Sequence, residues 1–341
     1  MEINCTHLSS AIYNLPRVVC EVKVLITGGC GFVGSHLVER FLAAGFDVRV
    51  LGLKCELENL NHLLKDNEIE FQRGDVSNPD VCREAVEGCD LVSHVAALVS
   101  IDHSIEEPRP FWEVNVEGTF NMLEAAREEG VKRFHLMSTC EILGTIEYPK
   151  KADEDWSSLA PRSPYAASKL AAETYCRSYY LTYGFPVVIT RGFNIFGPRQ
   201  RPGARGAMIA SFVTKVLDGK SPVIYGEGEQ TRDWTFVEDI AEGIFRSLTS
   251  EGVVGETIHL CSGVDHKVKD VAQLVIDGAG KGDELRPVRA SPRPGEMMRS
   301  VGDNSKAKRL LNWEPKVSFE EGVRRTIEFF KERPRLALPS L

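Results

Sequence analysis

The sequence predicts an α/β protein, a doubly wound parallel sheet followed by a smaller C-terminal lobe. Two observations carry that expectation. Strand-length apolar runs alternate with longer helical stretches up to residue 191, a pattern that buries parallel strands on both faces. From residue 192 the texture changes to long Gly- and Pro-rich connections, with short strands and a few helices between them. A chain of 341 residues is long enough for both units.

The elements follow in order. VKVLIT (22–27) reads as the first buried strand, GGCGFVG (28–34) as a turn and SHLVERFLAAG (35–45) as a helix with apolar residues at helical spacing. FDVRVL (46–51) and EIEFQR (68–73) are the second and third strands, and DLVSHV (90–95) is the fourth. Helix 111–130, strand VKRFHLMS (131–138), helix 163–184 and strand FPVVITR (185–191) continue the alternation. These assign residues 21–191 to the main domain and 192–341 to the lobe, which ends in a docking helix before Pro334. Residues 1–20 read as a leader; MEINCTHLSSAIYNLPR lacks the basic cluster and apolar core of a secretory signal.

Composition narrows the class. With 43% hydrophobic and 26% charged residues, whole-chain disorder and a fibrous architecture are both excluded. Forty-nine acidic residues outnumber 41 basic ones, a net charge of -8, and no long basic stretch offers a nucleic-acid track. The longest apolar candidate, LVSHVAALVSI at 91–101, is too short to span a membrane and contains His94 and two serines. Nine scattered cysteines without a CxxC pair suggest neither a zinc site nor a disulfide framework, so no metal is expected and the cytoplasm is the expected compartment.

Gly28, Gly31 and Gly34 sit between a strand and a helix. That spacing gives a tight turn, a close backbone approach to a pyrophosphate and close helix-to-strand packing, in that order. A dinucleotide is therefore the expected cofactor. The acid that would hold the adenosine ribose is replaced by Gly52, with Arg49 and Lys54 as cations able to meet a 2′-phosphate. NAD is the leading reading and NADP the alternative. Asp75, at the end of the third strand, could accept an adenine amino proton or cap a turn before Pro79.

Tyr165 and Lys169 stand four apart in SPYAASK and share one helix face. A nearby ammonium favours the phenolate, which gives Tyr165 a proton-transfer role and Lys169 the roles of lowering the phenol pKa and holding the ribose. Thr139 lies just beyond a strand, at the sheet edge where ligands bind, and could bridge substrate oxygen and Tyr165 or cap a turn. Glu141 could abstract an activated carbon-bound proton and Cys140 could protonate a leaving hydroxyl, provided that the chain turns there; packing is the other reading of Cys140.

TGGCGFVG, HVAA, NVEGTFNMLEAA, YAASK and RGFNIFGPRQ together resemble the extended short-chain dehydrogenase/reductase family, in particular its nucleotide-sugar epimerases and dehydratases, over residues 22–333. The resemblance implies a Rossmann-type domain, a cofactor retained through the cycle, and transient oxidation at sugar C4. It also implies that segments near 234–262 return to the main domain. On this basis Gly28, Gly31, Phe32, Val33 and Gly34 would hold the pyrophosphate, Asp75 and Val76 the adenine, and Ala96, Ala97, Tyr165 and Lys169 the rest of the cofactor. Asn194, Arg199, Arg232 and Arg293 would contact the substrate's diphosphate region, and Tyr225 could pack a uracil or end a strand. A homodimer through helices 111–130 and 163–184 is a further implication.

The run STCEILG bears on the reaction. The 4,6-dehydratases show Asp-Glu where this chain has Cys140-Glu141, and simple 4-epimerases usually have a small residue in place of the glutamate. The Ser-Thr-Cys-Glu run is similar to that of UDP-N-acetylglucosamine 5,6-dehydratase, which makes elimination across C5 and C6 of a UDP-sugar the leading expectation. Leu143 departs from the tyrosine usual at its position. A UDP-sugar 4-epimerase is the runner-up, with a 4,6-dehydratase and a UDP-glucuronate decarboxylase behind it.

Overall fold

Alternating apolar runs build one seven-stranded parallel sheet in the computed structural model, which describes residues 22–53, 58–155, 159–203, 207–292 and 297–333. Its first half comprises β1 (Lys23–Thr27), α1 (Phe32–Ala43), β2 (Asp47–Gly52), α2 (Asn61–Lys65), β3 (Glu70–Arg73), α3 (Pro79–Val86) and β4 (Leu91–His94). Helices α4 (Ile101–Glu106) and α5 (Pro108–Trp112) lead through a π-turn at Glu113–Glu117 into α6 (Gly118–Glu129). Next come β5 (Arg133–Thr139), a 3₁₀ turn at Cys140–Leu143, α7 (Pro164–Tyr183) and β6 (Val187–Gly192). Beyond them lie β7 (Ile195–Phe196), α8 (Met208–Leu217), β8 (Val223–Tyr225), β9 (Thr231–Asp233), β10 (Thr235–Phe236), α9 (Val237–Thr249) and β11 (Thr257–Leu260). The chain closes with β12 (Asp265–Lys267), α10 (Val268–Gly278), β13 (Val288–Ala290), β14 (Arg299–Ser300), α11 (Ser305–Leu311) and α12 (Phe319–Glu332).

The strand order is β11-β6-β5-β4-β1-β2-β3. Order reverses between β1 and β4, so the crevice at their carboxyl ends is the topological switch point where such sheets bind ligands. Strand alternation sends Val24 and Ile26 into a core shared with α1 and α9, and Leu25 into the opposite core with α3, α6 and α7. A third core, centred on Phe212, Val271, Val275 and Phe330, belongs to the C-terminal lobe and packs α8, α10 and α12 together.

Several boundaries differ from the sequence reading. The helix expected over 111–130 begins at Pro108 and is broken by the π-turn, which adds a residue to one helical turn. Thr139 is the last residue of β5 rather than lying beyond it. Within 234–262, the stretch expected to return to the main domain, β11 pairs with β6 in the main sheet, and α9 rests on α1 through Phe41 and Phe245, whose ring centroids are 5.0 Å apart. Trp313, fully buried, joins this side and donates to the Asp239 carbonyl at 2.8 Å. The described cysteines, at 30, 82, 89, 140, 176 and 261, are all free and buried. The leader, Lys54 and Arg293 lie outside the described residues.

Candidate active site

The glycine turn fits a dinucleotide on steric grounds. Gly28 has φ +68°, a conformation that a side chain resists, and a Cβ there would stand 2.8 Å from Ala96 Cα. A Cβ on Gly34 would stand 2.2 Å from the Gly28 carbonyl oxygen, so α1 can start this close to β1 only with glycine. Gly31 caps α1 without a side-chain hydrogen bond and the first turn holds no acid, leaving its amides and positive dipole end for an anion. We expect Gly34→Ala to abolish dinucleotide binding and to destabilise the fold by roughly 1–3 kcal/mol, the range for overpacking, as thermal unfolding and cofactor titration would read.

Phe32 meets His36 edge-on at 6.2 Å, and Val33 packs on the α1 side of the sheet. Thr27 links this turn to β4: its hydroxyl is 2.8 Å from His94 Nδ1 and accepts from Ala96 N at 3.2 Å. His94 Nε2 lies 3.1 Å from the Thr119 hydroxyl, and burial pushes this imidazole down to about 3, so it is neutral. Ala96 and Ala97 are half-buried just past β4. Val76 packs against Gly118, where a Cβ would stand 2.6 Å from Val76 Cγ2. The Asp75 carboxylate accepts from both the amide and the hydroxyl of Ser77 at 2.9 Å, which realises the turn-capping role weighed for it.

At the tip of β2, Gly52 stands in register with Arg73 of β3. Arg49 is not available for a 2′-phosphate. Its guanidinium is tied to Glu70 at 2.9 Å and to the carbonyls of Ala85 and Glu87.

On α7, Ser163 caps the helix by accepting from Ala166 N at 3.1 Å, and Pro164 occupies the first turn. Tyr165 and Lys169 therefore start the helix beside the carboxyl end of β5, and both are buried. Burial raises the Tyr165 phenol, a hydrogen bond with Thr139 opposes it, and the nearby Glu141 charge raises it further. The depression by Lys169 expected from sequence is not among the effects acting on this phenol, and burial dominates. Lys169 is pushed down to about 8 by burial, against the pull of Glu173. The Thr139 hydroxyl also accepts from Glu141 N at 3.3 Å and starts the 3₁₀ turn, so it caps the turn beside its hydrogen bond with Tyr165.

That turn separates the two residues after Thr139. Glu141 lines a cleft of about 1250 Å³ between the main sheet and the lobe. Burial raises its carboxyl above the ordinary range, with Arg232 pulling the other way. Cys140 faces the other way, into a small core with Ile142, Phe193, Cys261 and Val301. Its sulfur accepts from Ser300 Oγ at 3.6 Å, and burial pushes the thiol up to about 12. The acid role for Cys140 is thereby replaced by packing.

Asn194, Tyr225 and Arg232 share the cleft with Glu141. Asn194 donates to the Asp233 carbonyl at 3.2 Å, Arg232 donates to the Thr231 carbonyl, and Tyr225 ends β8 with its ring partly exposed. Arg199 is corrected: it is not among the cleft-lining residues, and it pairs with Glu39 on α1 at 2.6 Å. Sequence reasoning missed Asn115, which the π-turn directs between two elements. Its side chain accepts from Leu98 N at 2.8 Å and donates to Leu98 O and to Ser168 Oγ, locking α7 to the loop after β4. A lone polar residue within an apolar helical stripe was its signal.

A glycine turn at the switch point, with a buried tyrosine and lysine four residues apart across the crevice, defines the extended short-chain dehydrogenase/reductase class. The chain belongs to the GDP-mannose 4,6 dehydratase family, whose model matches residues 25–326, and is a nucleotide-sugar epimerase/dehydratase-type enzyme. The UDP-glucose 4-epimerase of Mycolicibacterium smegmatis is 33% identical over 319 residues, covering 92% of this chain and 99% of that protein. The structure of Thermus thermophilus UDP-glucose 4-epimerase in complex with NAD is 36% identical with a TM-score of 0.83, over 91% of this chain and 99% of that one. DesIV, a dTDP-glucose 4,6-dehydratase of Streptomyces venezuelae with NAD bound, is 34% identical with a TM-score of 0.84, over 91% and 97%. Among the described residues no helix is long and apolar enough to cross a membrane, and no group of His, Cys, Asp or Glu is placed to hold a metal.

Proposed function

We propose that the chain is an NAD-dependent nucleotide-sugar dehydratase that eliminates water across C5 and C6 of a UDP-sugar, as UDP-N-acetylglucosamine 5,6-dehydratase does. The carrying observation is Glu141, a half-buried carboxyl of raised proton affinity lining the cleft beside Arg232. Inverting C4 needs no such base; removing the C5 proton does.

The chemistry that NAD supplies when bound is hydride acceptance from sugar C4 and its later return. Tyr165 takes the proton of the C4 hydroxyl and Thr139 orients that oxygen, while Lys169 supplies positive charge that favours the phenolate. With C4 a ketone, the C5 proton is acidic and Glu141 removes it. Cys140 being turned into the core, the protonated Glu141 passes that proton to the departing C6 hydroxyl. Arg232, Asn194 and Tyr225 would hold the diphosphate and base, with Arg232 a charge-assisted donor. The readings separate in deuterated water: a dehydratase loses or exchanges the C5 hydrogen, and product that fully retains it identifies the 4-epimerase.

For the cofactor, the relatives with NAD bound and the commitment of Arg49 to other partners support NAD. NAD should bind more tightly than NADP; tighter NADP binding that is lost in Arg73→Ala would reverse the choice. A homodimer is supported by exposed Phe120 on α6 and Tyr175 and Leu181 on α7, and light scattering at the mass of one chain would exclude it. The cytoplasm remains the compartment we propose, and cell fractionation would check it.

A further inference from the structure

The strand that carries Arg232 is short. β9 spans three residues and its partners β12 and β14 span three and two, against about five or six for a typical strand. Its own ladder gives it little hold. Side chains alternate along a strand, so Arg232 turns to the cleft and Asp233 turns to the opposite face. There Asp233 is fully buried, and its carboxylate takes four hydrogen bonds. Oδ1 accepts from the Ser262 amide at 2.9 Å and from the Ser262 hydroxyl at 2.6 Å. Oδ2 accepts from the amides of Gly263 at 2.9 Å and Gly302 at 3.2 Å. All four donors are neutral groups. Burial raises the carboxyl to about 6 and these donors oppose the rise, so it is ionised at neutral pH.

The donors come from two places. Ser262 and Gly263 follow β11, the edge strand of the seven-stranded sheet whose other strands carry the glycine turn and Thr139. Gly302 follows β14, in which Ser300 stands in register with Arg232. A Cβ on Gly302 would stand 2.5 Å from Cys261 Sγ, so the two segments close around Asp233 only with glycine there. One carboxylate ties the Arg232 strand, in the lobe, to the sheet that holds the reacting groups.

We propose that Asp233 is the positioning residue of Arg232: by clamping the end of β9 to the main sheet, it holds the guanidinium at a set distance from Glu141, so that a diphosphate gripped there leaves the sugar at the reacting groups. The role rests on Arg232 contacting the substrate's diphosphate. A guanidinium already held in place loses little freedom when the anion binds, whereas one on a loosened strand must be ordered by the substrate.

The test is a double-mutant cycle, read by calorimetric titration of the NAD-loaded enzyme with UDP. Arg232→Gln should weaken UDP binding by about tenfold or more, as for loss of a hydrogen bond from a charged group. Asp233→Asn keeps the shape of the side chain but turns an amide N–H₂ toward backbone N–H donors. It should weaken UDP binding by about threefold to tenfold, a coupling of ordinary size. KM for the UDP-sugar should rise by the same factor, with kcat at saturation and NAD affinity changed by less than about twofold, the pattern of lost ground-state binding. Because Asp233 acts through Arg232, adding Asp233→Asn to Arg232→Gln should weaken UDP binding no further. Ser262→Ala removes one hydroxyl donor and keeps the amide. It provides a milder second arm, with a loss of about twofold that also vanishes in the Arg232→Gln background, and carries the comparison alone should Asp233→Asn fail to fold. Unchanged UDP binding, equal losses in the two backgrounds, or a parallel loss of NAD affinity overturns the proposal. Wild-type UDP affinity in Arg232→Gln itself would refute the diphosphate role of Arg232, a separate failure that removes the proposal with it.

Discussion

Tyr165→Phe should lower turnover about a thousandfold, within the range a positioned proton donor and acceptor contributes, while dinucleotide affinity changes little. The phenol is buried against Thr139 and stands beside the glycine turn's crevice, and its ring also packs edge-on to Phe111 at 6.4 Å. Removing the hydroxyl keeps that packing and takes away one oxygen. The loss should therefore fall on oxidation at C4, seen as disappearance of any transient reduced-cofactor absorbance on adding substrate. Undiminished turnover would remove Tyr165 from the reaction.

Glu141→Gln should act one step later. We expect C5 hydrogen exchange and water loss to fall by about two to four orders of magnitude, the contribution of a general base, with transient oxidation at C4 preserved. The wild-type pH profile has a defined sign. The base works as the carboxylate, and burial raises its pKa above the ordinary 4.5, so the acid limb should lie above that value and vanish in Glu141→Gln. Arg232→Gln removes the guanidinium that opposes this rise, so the limb should move to higher pH still. Unchanged C5 exchange in Glu141→Gln would exclude it as the base.

Much of this machinery is legible in the sequence. Runs such as VKVLIT and FPVVITR are apolar on successive residues because both faces of the sheet are covered, and the glycine spacing needs no tertiary context to be read. Tyr165 and Lys169 followed from helical period together with their place between two strands. What escaped was set by packing between distant segments. The apolar stripe of α9, with Ile240 and Ile244, says that a face is buried; only the family resemblance, not the stripe itself, pointed to the main domain as what buries it. Strand alternation could not apportion Cys140 and Glu141, because a 3₁₀ turn begins between Thr139 and Glu141 and sends one side chain to a core and the other to the cleft. Arg199 was implied as a diphosphate contact by the resemblance alone; its partner in the fold is Glu39, 160 positions earlier. Asn115 depended on a π-turn, which no helical period announces.

The central claim, elimination from a UDP-sugar through oxidation at C4, is tested most directly by mass spectrometry of the purified enzyme with UDP-GlcNAc, UDP-Glc and UDP-GlcA, followed by carbohydrate NMR of the product. The account predicts the loss of one water and a 5,6-alkene with the C4 hydroxyl retained. A product of unchanged mass with C4 inverted would contradict it and assign the chain to the epimerases.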